Sequence, residues 1–337
     1  MKTIKVSQEI VKAIVFGFVF FASINTHASW TQQNYAQRAD VKIFISEMVD
    51  QHGFDRAYLE AKFAGAKRLD NVLESIAKPA EKELTWKQYR PIFVTDKRSN
   101  KGRKFIEENR ATLQRAEKEY GVSVEIIAAI IGVESYYGKS TGKYTVFDSL
   151  TTLGFDYPKR SKFFKSELKQ FLLLSKEENI DIDTMTGSYA GAMGMPQFIS
   201  SSYRRYAVDF DGDGKRDLWN STEDVIGSVA NYFSEHGWKA DATVTYRVTV
   251  ADKSVVRKEN TLKPYAAISQ LEKQGVKAVA SPDAKFDYSQ LASLLKLEGK
   301  RGYEYWLGLN NFYVITRYNH SELYAMAVFQ LGEKLKM

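Results

Sequence analysis

The chain has 337 residues, of which 44% are hydrophobic and 26% are charged, and its formal net charge is +7. These proportions are ordinary for a globular protein that buries a sizeable core, and they predict one large or two modest domains. The absence of cysteine from the sequence excludes disulfides, thiolate chemistry and lipid attachment through a cysteine.

The first 28 residues have the pattern of a signal peptide. Lys2, Lys5 and Lys12 come before an apolar run over residues 13–24, which is too short to span a bilayer. The small residues of Thr26-His27-Ala28 predict cleavage directly after them. We therefore expect an exported mature chain that is soluble in the periplasm.

A basic balance with 13% aromatic residues suits nucleic acid, an anionic membrane or an anionic cell-wall polymer. Export favours the polymer, and the sequence contains no RNP-like, zinc-finger or helix-turn-helix signature, so nucleic acid is not an expected partner. A solvated surface is the alternative interpretation for most of the lysines and arginines.

Residues 29–95 predict a helical N-terminal region. One helical face carries apolar residues at the expected spacing: Val41, Phe44, Ile45 and Met48. Gly53 is typical of a helix C-cap, and Asp55 is typical of a new start. The aromatic stretch 85–96 contains Pro91, which favours an extended connection in which an exposed Tyr89 could stack on a ligand.

Residues 96–240 predict a helical core, in which a charged helix over residues 101–120 leads to an apolar one that begins after the N-cap Ser123. Its apolar face carries Ile126, Ile127, Ile130 and Ile131. Glu134 falls on the same face, where burial and the negative end of the helix dipole both favour a protonated carboxyl. A general acid requires such a group. The alternative is a helix-end glutamate that reaches solvent or caps a neighbour.

Two later stretches carry candidate binding residues. Aromatic residues surround Lys159 and Arg160, a combination suited to ligands that bear carboxylates. Residues 187–198 are rich in glycine and alanine, which allows two backbones to approach closely, and Gln197 then presents an amide to a ligand. Tight packing without a ligand is the alternative interpretation of this stretch.

A metal-binding pattern follows. Asp209, Asp211 and Asp213, with Gly214 after them, reproduce positions 1, 3, 5 and 6 of an EF-hand calcium loop. A polar turn that binds no metal is the alternative.

The loop departs from the EF-hand pattern at its end, because position 12 is Asn220 rather than glutamate. We therefore expect the closing carboxylate to come from Asp224, or less favourably from Glu223, in a lengthened loop over residues 209–224. The carbonyl of Lys215 would fill position 7.

Residues 241–300 predict a small α/β insert, with a strand at 243–250 that alternates with period two, a short helix near 266–273 and a strand near 291–297. Residues 301–337 predict a C-terminal segment that returns to the core and ends in a helix.

Four motifs in order, IIGVESYYG, GSYAGAMGMPQF, DFDGDGKRDLWNSTEDVIGSVANYF and NFYVITRYNHS, resemble the membrane-bound lytic murein transglycosylase B family from about Asp40 to the C-terminus. The resemblance implies an α+β, mainly α fold: a lysozyme-like helical catalytic core with an EF-hand-type calcium loop and a small β-containing insert. It also implies that Glu134 is the sole catalytic acid and base. Matching the family's site implies these substrate-binding residues: Tyr89, Ser188, Gln197, Tyr232, Tyr318, Lys159 and Arg160.

Two departures from the family pattern matter. Ser200 stands where the family usually has proline, and the absent lipobox cysteine means that membrane attachment is not carried over. The expected substrate is the glycan strand of peptidoglycan, and other cell-wall enzymes are further candidate partners. A lysozyme-type hydrolase and a non-catalytic peptidoglycan-binding scaffold are the alternatives.

Overall fold

The computed structural model describes residues 34–77, 84–279 and 287–336, so the predicted signal peptide lies outside the described residues. Within these ranges, no helix has the length and apolarity needed to cross a membrane. The α-helices of the described residues are α1 (Ala39–His52), α2 (Arg56–Gly65), α3 (Asp70–Ala77), α4 (Trp86–Phe93), α5 (Asp96–Glu108), α6 (Arg110–Tyr120), α7 (Val124–Ser135), α8 (Val146–Asp156), α9 (Ser161–Glu177), α10 (Ser200–Tyr206), α11 (Thr222–Glu235), α12 (Ile268–Lys273), α13 (Asn310–Tyr318) and α14 (Glu322–Leu335).

The first two helices begin and end as their sequence predicts. The four apolar residues on one face of α1 are buried. Gly53 adopts a left-handed conformation with φ 62°, and its N–H bonds the last turn of α1. The side chain of Asp55 accepts the N–H of Tyr58 at 2.6 Å and so starts α2.

The predicted extended connection at 85–96 is wrong, because these residues form α4 with Pro91 inside it. The side-chain oxygen of Gln88 accepts the N–H of Thr85 at 2.9 Å, which stabilises the first turn. Pro91 removes one hydrogen bond from a helix of only eight residues, and the carbonyl it leaves unbonded belongs to the exposed residue Lys87. Packing against α14 then decides in favour of the helix.

Helix α7 is buried on almost every side rather than on one face. All residues from Ile126 to Val133 are buried, and the helix packs against α5, α6, α11 and α14. Ser123 is the N-cap residue as predicted, but its side chain makes no capping hydrogen bond. The helix ends one residue after Glu134, so this carboxylate lies in the last turn of a buried helix.

The insert is a five-stranded antiparallel sheet. Its strands are β3 (Thr245–Val250), β4 (Ala266–Ala267), β5 (Val276–Ala278), β6 (Leu291–Gly299) and β7 (Gly302–Gly308). They lie side by side in the order β4-β6-β7-β3-β5. The two strands and the short helix predicted for the insert are confirmed. The sequence interpretation missed β7, which pairs with β6 across a two-residue turn.

A second, two-stranded sheet lies beside the end of α7. Its strands are β1 (Tyr144–Thr145) and β2 (Thr186–Gly187), which pair antiparallel. The pairing joins the loop after α7 to the glycine-rich stretch 187–198. A Cβ atom on Gly142 would lie 2.0 Å from the carbonyl oxygen of Gly187, so the two backbones approach as closely as the small residues predict.

Candidate active site

Glu134 is half-buried in the last turn of α7. The hydroxyl of Tyr324 on α14 donates to its Oε1 at 2.5 Å. A hydrogen bond to a carboxylate is short and strong, and this one fixes the orientation of the side chain. The alternative in which Glu134 is an ordinary solvated helix end is therefore disfavoured by the structure.

The backbone after Glu134 is strained. Tyr136 and Tyr137 have φ of 54° and 58°, a left-handed conformation that costs roughly 1–2 kcal/mol for each residue with a side chain. The side chain of Lys101 donates to the carbonyl of Tyr136 at 2.8 Å, and the Oγ of Ser135 accepts the N–H of Gly138 at 3.0 Å. Such strain persists only where surrounding contacts hold it, and it is typical of active sites.

Three tyrosines form one wall beside Glu134. The rings of Tyr318 and Tyr324 are stacked with their centroids 6.4 Å apart. The ring centroids of Tyr232 and Tyr318 are 4.8 Å apart. Burial, followed by the nearby Glu134 charge, raises the pKa of both Tyr318 and Tyr324 well above the usual value for tyrosine. Their hydroxyls therefore stay protonated and act as hydrogen-bond donors over the whole neutral range.

Tyr232 and Tyr318, both predicted from the family motifs, thus lie together. The hydroxyl of Tyr318 donates to the carbonyl of Pro196 at 2.6 Å, and that of Tyr232 donates to the carbonyl of Arg317 at 2.6 Å. The first bond connects the Glu134 wall to the residue before Gln197. Sequence reasoning missed Tyr324 because it lies 190 residues from Glu134 and carries no local motif.

The side-chain amide of Gln197 is hydrogen-bonded to two backbone carbonyls. Its Nε2 donates to the carbonyls of Thr141 and Gly194 at 3.0 and 2.8 Å, and its φ is 53°. Both N–H groups are thereby used, which presents Oε1 as the remaining polar atom. Ser188, nearby in the same loop, accepts the N–H of Ala192 at 3.0 Å and therefore keeps its hydroxyl hydrogen for another acceptor.

The remaining predicted substrate residues are Tyr89, which lies close enough to Tyr324 to contribute to its raised pKa, and two surface cations. Tyr89 is only 2% exposed, and its ring centroid lies 4.9 Å from that of Phe93. The expectation of an exposed Tyr89 ring is therefore wrong, because α4 turns this ring towards the core. Lys159 and Arg160 are exposed in a short 3₁₀ helix over Pro158–Arg160, and Arg160 lies over the ring of Phe163.

The aspartate loop, residues 209–224, brings three exposed carboxylates together. Oxygen atoms of Asp209, Asp211 and Asp213 lie within 4.8 Å of one another. Asp209 accepts N–H groups of Gly212 and Gly214 at 2.7 and 2.8 Å, which sets the loop conformation. Because like charges at this distance repel, the donor set fits a hard divalent cation such as Ca²⁺.

Asp224, the predicted closing ligand, is held by the backbone of the loop. It is fully buried, and its two oxygens accept backbone N–H groups of Phe210, Asp211 and Asp217 at 2.6, 3.3 and 2.8 Å. Burial raises the pKa of Asp224, and these hydrogen bonds oppose the rise. The role of Asp224 as the closing ligand stays a prediction.

Residues 36–333 match the family model described as Transglycosylase SLT domain. Membrane-bound lytic murein transglycosylase B of Escherichia coli (strain K12) is 43% identical over 314 residues, which cover 90% of this chain and 84% of that protein. The chain belongs to this lytic transglycosylase family.

Two solved lytic transglycosylases have the same fold. Slt35 of Escherichia coli, in complex with calcium, is 43% identical with a TM-score of 0.82, and the match covers 90% of this chain and 94% of that one. SltB3 of Pseudomonas aeruginosa, in complex with NAG-anhNAM-pentapeptide, is 31% identical with a TM-score of 0.77, covering 87% and 78%. The predicted fold, a mainly helical lysozyme-like core with a small β-containing insert, is confirmed.

Proposed function

We propose that this lytic transglycosylase cleaves the MurNAc-β-1,4-GlcNAc bond of peptidoglycan strands with Glu134 as its single general acid and base. The observation that carries the proposal is the position of Glu134, which ends a buried helix and accepts a hydrogen bond from Tyr324. Tyr232, Tyr318 and Tyr324 lie near this carboxylate. Most glycosidases that activate water or form a covalent intermediate use a second carboxylate.

The reaction proceeds without a second carboxylate if the sugar supplies the nucleophile. Protonated Glu134 donates its proton to the glycosidic oxygen, and the bond from that oxygen to C1 of MurNAc breaks. The resulting carboxylate takes the proton of the MurNAc C6 hydroxyl, whose oxygen bonds to C1. The product is a 1,6-anhydro-MurNAc end, no water is consumed, and Glu134 regains its proton. The complex of SltB3 with NAG-anhNAM-pentapeptide supports a product of this kind.

The surrounding residues position the sugar and the acid. Tyr324 holds one oxygen of Glu134 through both proton transfers. Ser188 and the Oε1 of Gln197 suit the acetamido group, whose carbonyl stabilises the developing charge at C1. Tyr232 and Tyr318 form the wall, with the buried Tyr89 as support behind it, and the exposed Lys159 and Arg160 suit carboxylates of the strand.

The product formed from purified sacculi tests this proposal. Mass spectrometry should find muropeptides that are lighter by one water than those of a hydrolase and that lack a reducing end. In water labelled with ¹⁸O, no label should enter C1 of the primary product. Label at C1 would make the enzyme a lysozyme-type hydrolase, and intact sacculi would favour the non-catalytic scaffold.

We propose in addition that the aspartate loop binds Ca²⁺, which would be held by Asp209, Asp211 and Asp213 with the carbonyl of Lys215. Asp224, or less favourably Glu223, would supply the closing carboxylate. The cluster of exposed carboxylates supports this, as does the calcium complex of Slt35. A cation that binds only the folded chain stabilises it by about 2.7 kcal/mol at a hundred times its dissociation constant. Calorimetry with calcium, magnesium or chelator tests the site, and identical melting in all three would refute it.

We propose that the chain is exported and cleaved after Ala28, on the signal-peptide pattern of residues 1–28. Cell fractionation and N-terminal sequencing test this, with Ser29 as the expected first residue in a soluble periplasmic fraction. Recovery of the uncleaved chain in the membrane pellet would contradict it.

A further inference from the structure

A groove of about 640 Å³ lies between the outer face of α4, the last turns of α14 and the sheet of the insert. Its floor is aromatic and its rim is cationic. We call it the basic groove and define it by six lining residues: Trp86, Trp306, Phe329, Lys87, Arg247 and Lys300. The rings of Trp306 and Phe329 lie 6.4 Å apart, and they connect the sheet to α14.

The charges of the basic groove are unbalanced. Its lining contains five cationic side chains and two carboxylates, those of Glu304 and Glu333. Lys87, Arg247 and Lys300 are exposed, and none of them forms an ion pair within the part of the chain that the structure describes. The guanidinium of Arg247 lies 5.5 Å from the ring centroid of Trp306. Such a surface suits a ligand that has both carboxylates and apolar parts.

The basic groove is separate from the site around Glu134. On α4, the buried ring of Tyr89 faces the core, whereas Lys87 is exposed on the groove side. On α14, Tyr324 bonds Glu134, and the groove begins with Phe329 five residues later, roughly 8 Å further along the helix axis. Glu134 is therefore not part of the lining of the basic groove.

We propose that the basic groove is a second peptidoglycan-binding surface, which takes the carboxylate-bearing peptide stems of a strand whose sugars occupy the Glu134 site or a neighbouring strand of the same sacculus. The inference rests on the proposed function. Charge complementarity carries it, because the peptide stems are the anionic part of that substrate and the groove holds three cations without carboxylate partners. Two linked contacts raise the apparent affinity for a polymer. They do not change the affinity for a short fragment that reaches only the Glu134 site.

The test compares two triple variants with equal loss of charge, both in a Glu134→Gln background that prevents digestion. The groove variant is Lys87→Gln, Arg247→Gln and Lys300→Gln. The control removes three exposed lysines outside the groove: Lys42→Gln, Lys253→Gln and Lys277→Gln. Exposed ion pairs contribute about 0.2–1 kcal/mol each, so the groove variant should bind purified sacculi at least about threefold more weakly than the control.

Two further measurements identify the ligand. When the carboxylates of the sacculus are converted to amides, the protein with the unaltered groove should bind the sacculus only as strongly as the groove variant does. With Glu134 restored, the groove variant should turn over a short soluble disaccharide-repeat fragment without peptide stems at the rate of the control, which also shows that it is folded.

Equal sacculus binding by the groove and control variants would overturn the proposal. Binding to sacculi that survives amidation would also overturn it. A third contrary result is a groove variant that loses binding to vesicles of anionic phospholipid while its sacculus binding is unchanged, which would assign the groove to a lipid. A failure of the proposed function is distinguishable, because it changes the product mass rather than the binding of sacculi.

Discussion

The two acidic sites of this molecule are built in opposite ways. At the end of α7, a single half-buried carboxylate is held by a tyrosine that is 190 residues away in the chain. In the aspartate loop, three exposed carboxylates come from five consecutive residues, and N–H groups of the same loop hold them. The first site depends on the tertiary packing of α7 against α14, and the second depends on local backbone conformation.

The difference predicts which changes affect chemistry and which affect stability. On the proposed mechanism, a substitution at Glu134 or Tyr324 removes a group that acts on the substrate or on the acid, and the core around it should stay packed. A substitution within the aspartate loop alters the loop and its affinity for a cation while the Glu134 site keeps its own contacts. Four experiments test this separation, from the largest expected effect to the smallest.

Glu134→Gln should abolish most turnover and preserve substrate binding, because glutamine keeps the size of the side chain but carries no titrating proton. General acid and base assistance is typically worth about a hundredfold to ten-thousandfold, and in the proposed mechanism one group acts in both steps. Release of soluble muropeptides from sacculi measures the loss. The control is Glu125→Gln in the first turn of the same helix, and undiminished turnover in Glu134→Gln would assign the acid to another residue.

Asp224→Ala should lower the free energy of unfolding by about 3 kcal/mol, because it leaves three N–H groups of the loop without their acceptor. Urea denaturation with chelator present measures this free energy without a contribution from calcium. Glu223→Ala is the neighbouring control, with an expected loss below about 1 kcal/mol. If Asp224→Ala lost turnover at temperatures where it is fully folded, the two sites would not be separate.

Tyr324→Phe should lower kcat roughly tenfold to a hundredfold with a smaller change in KM, since a hydrogen bond to a charged group is worth about 1.5–3 kcal/mol. The split between kcat and KM distinguishes an effect on the acid from a loss of substrate binding. Tyr120→Phe, a partly buried tyrosine that packs on Phe210, is the control. An unchanged kcat would show that Tyr324 does not position Glu134.

Asp213→Asn should have the smallest effect on the chain without calcium. The exposed side chain accepts one N–H, that of Lys215 at 2.9 Å, and asparagine can also accept it, so stability with chelator should change by less than about 0.5 kcal/mol. The rise in melting temperature with calcium should disappear. Asp241→Asn, outside the loop, should keep the full rise. Retention of the rise in Asp213→Asn would show that the cation binds elsewhere.

Features that depend on neighbouring residues were predicted well from the sequence. The end of α1 at Gly53, the start of α2 at Asp55 and the alternation of β3 follow from local backbone preference and periodicity. The convergence of Asp209, Asp211 and Asp213 follows in the same way from their spacing in a glycine-containing turn. For β7, the sequence does contain a signal: Gly299 and Gly302 flank the two-residue turn of a hairpin.

Other features depend on tertiary packing and cannot be predicted from any local sequence pattern. Packing against α14 makes the segment with Pro91 a helix, because the contacts of a whole buried face outweigh one missing hydrogen bond. Only the fold buries Asp224, whose oxygens then accept loop amides, since a buried carboxylate requires hydrogen-bond donors. The sequence alone indicates Glu134 as the acid, but only the fold brings Tyr324 within hydrogen-bond distance of it.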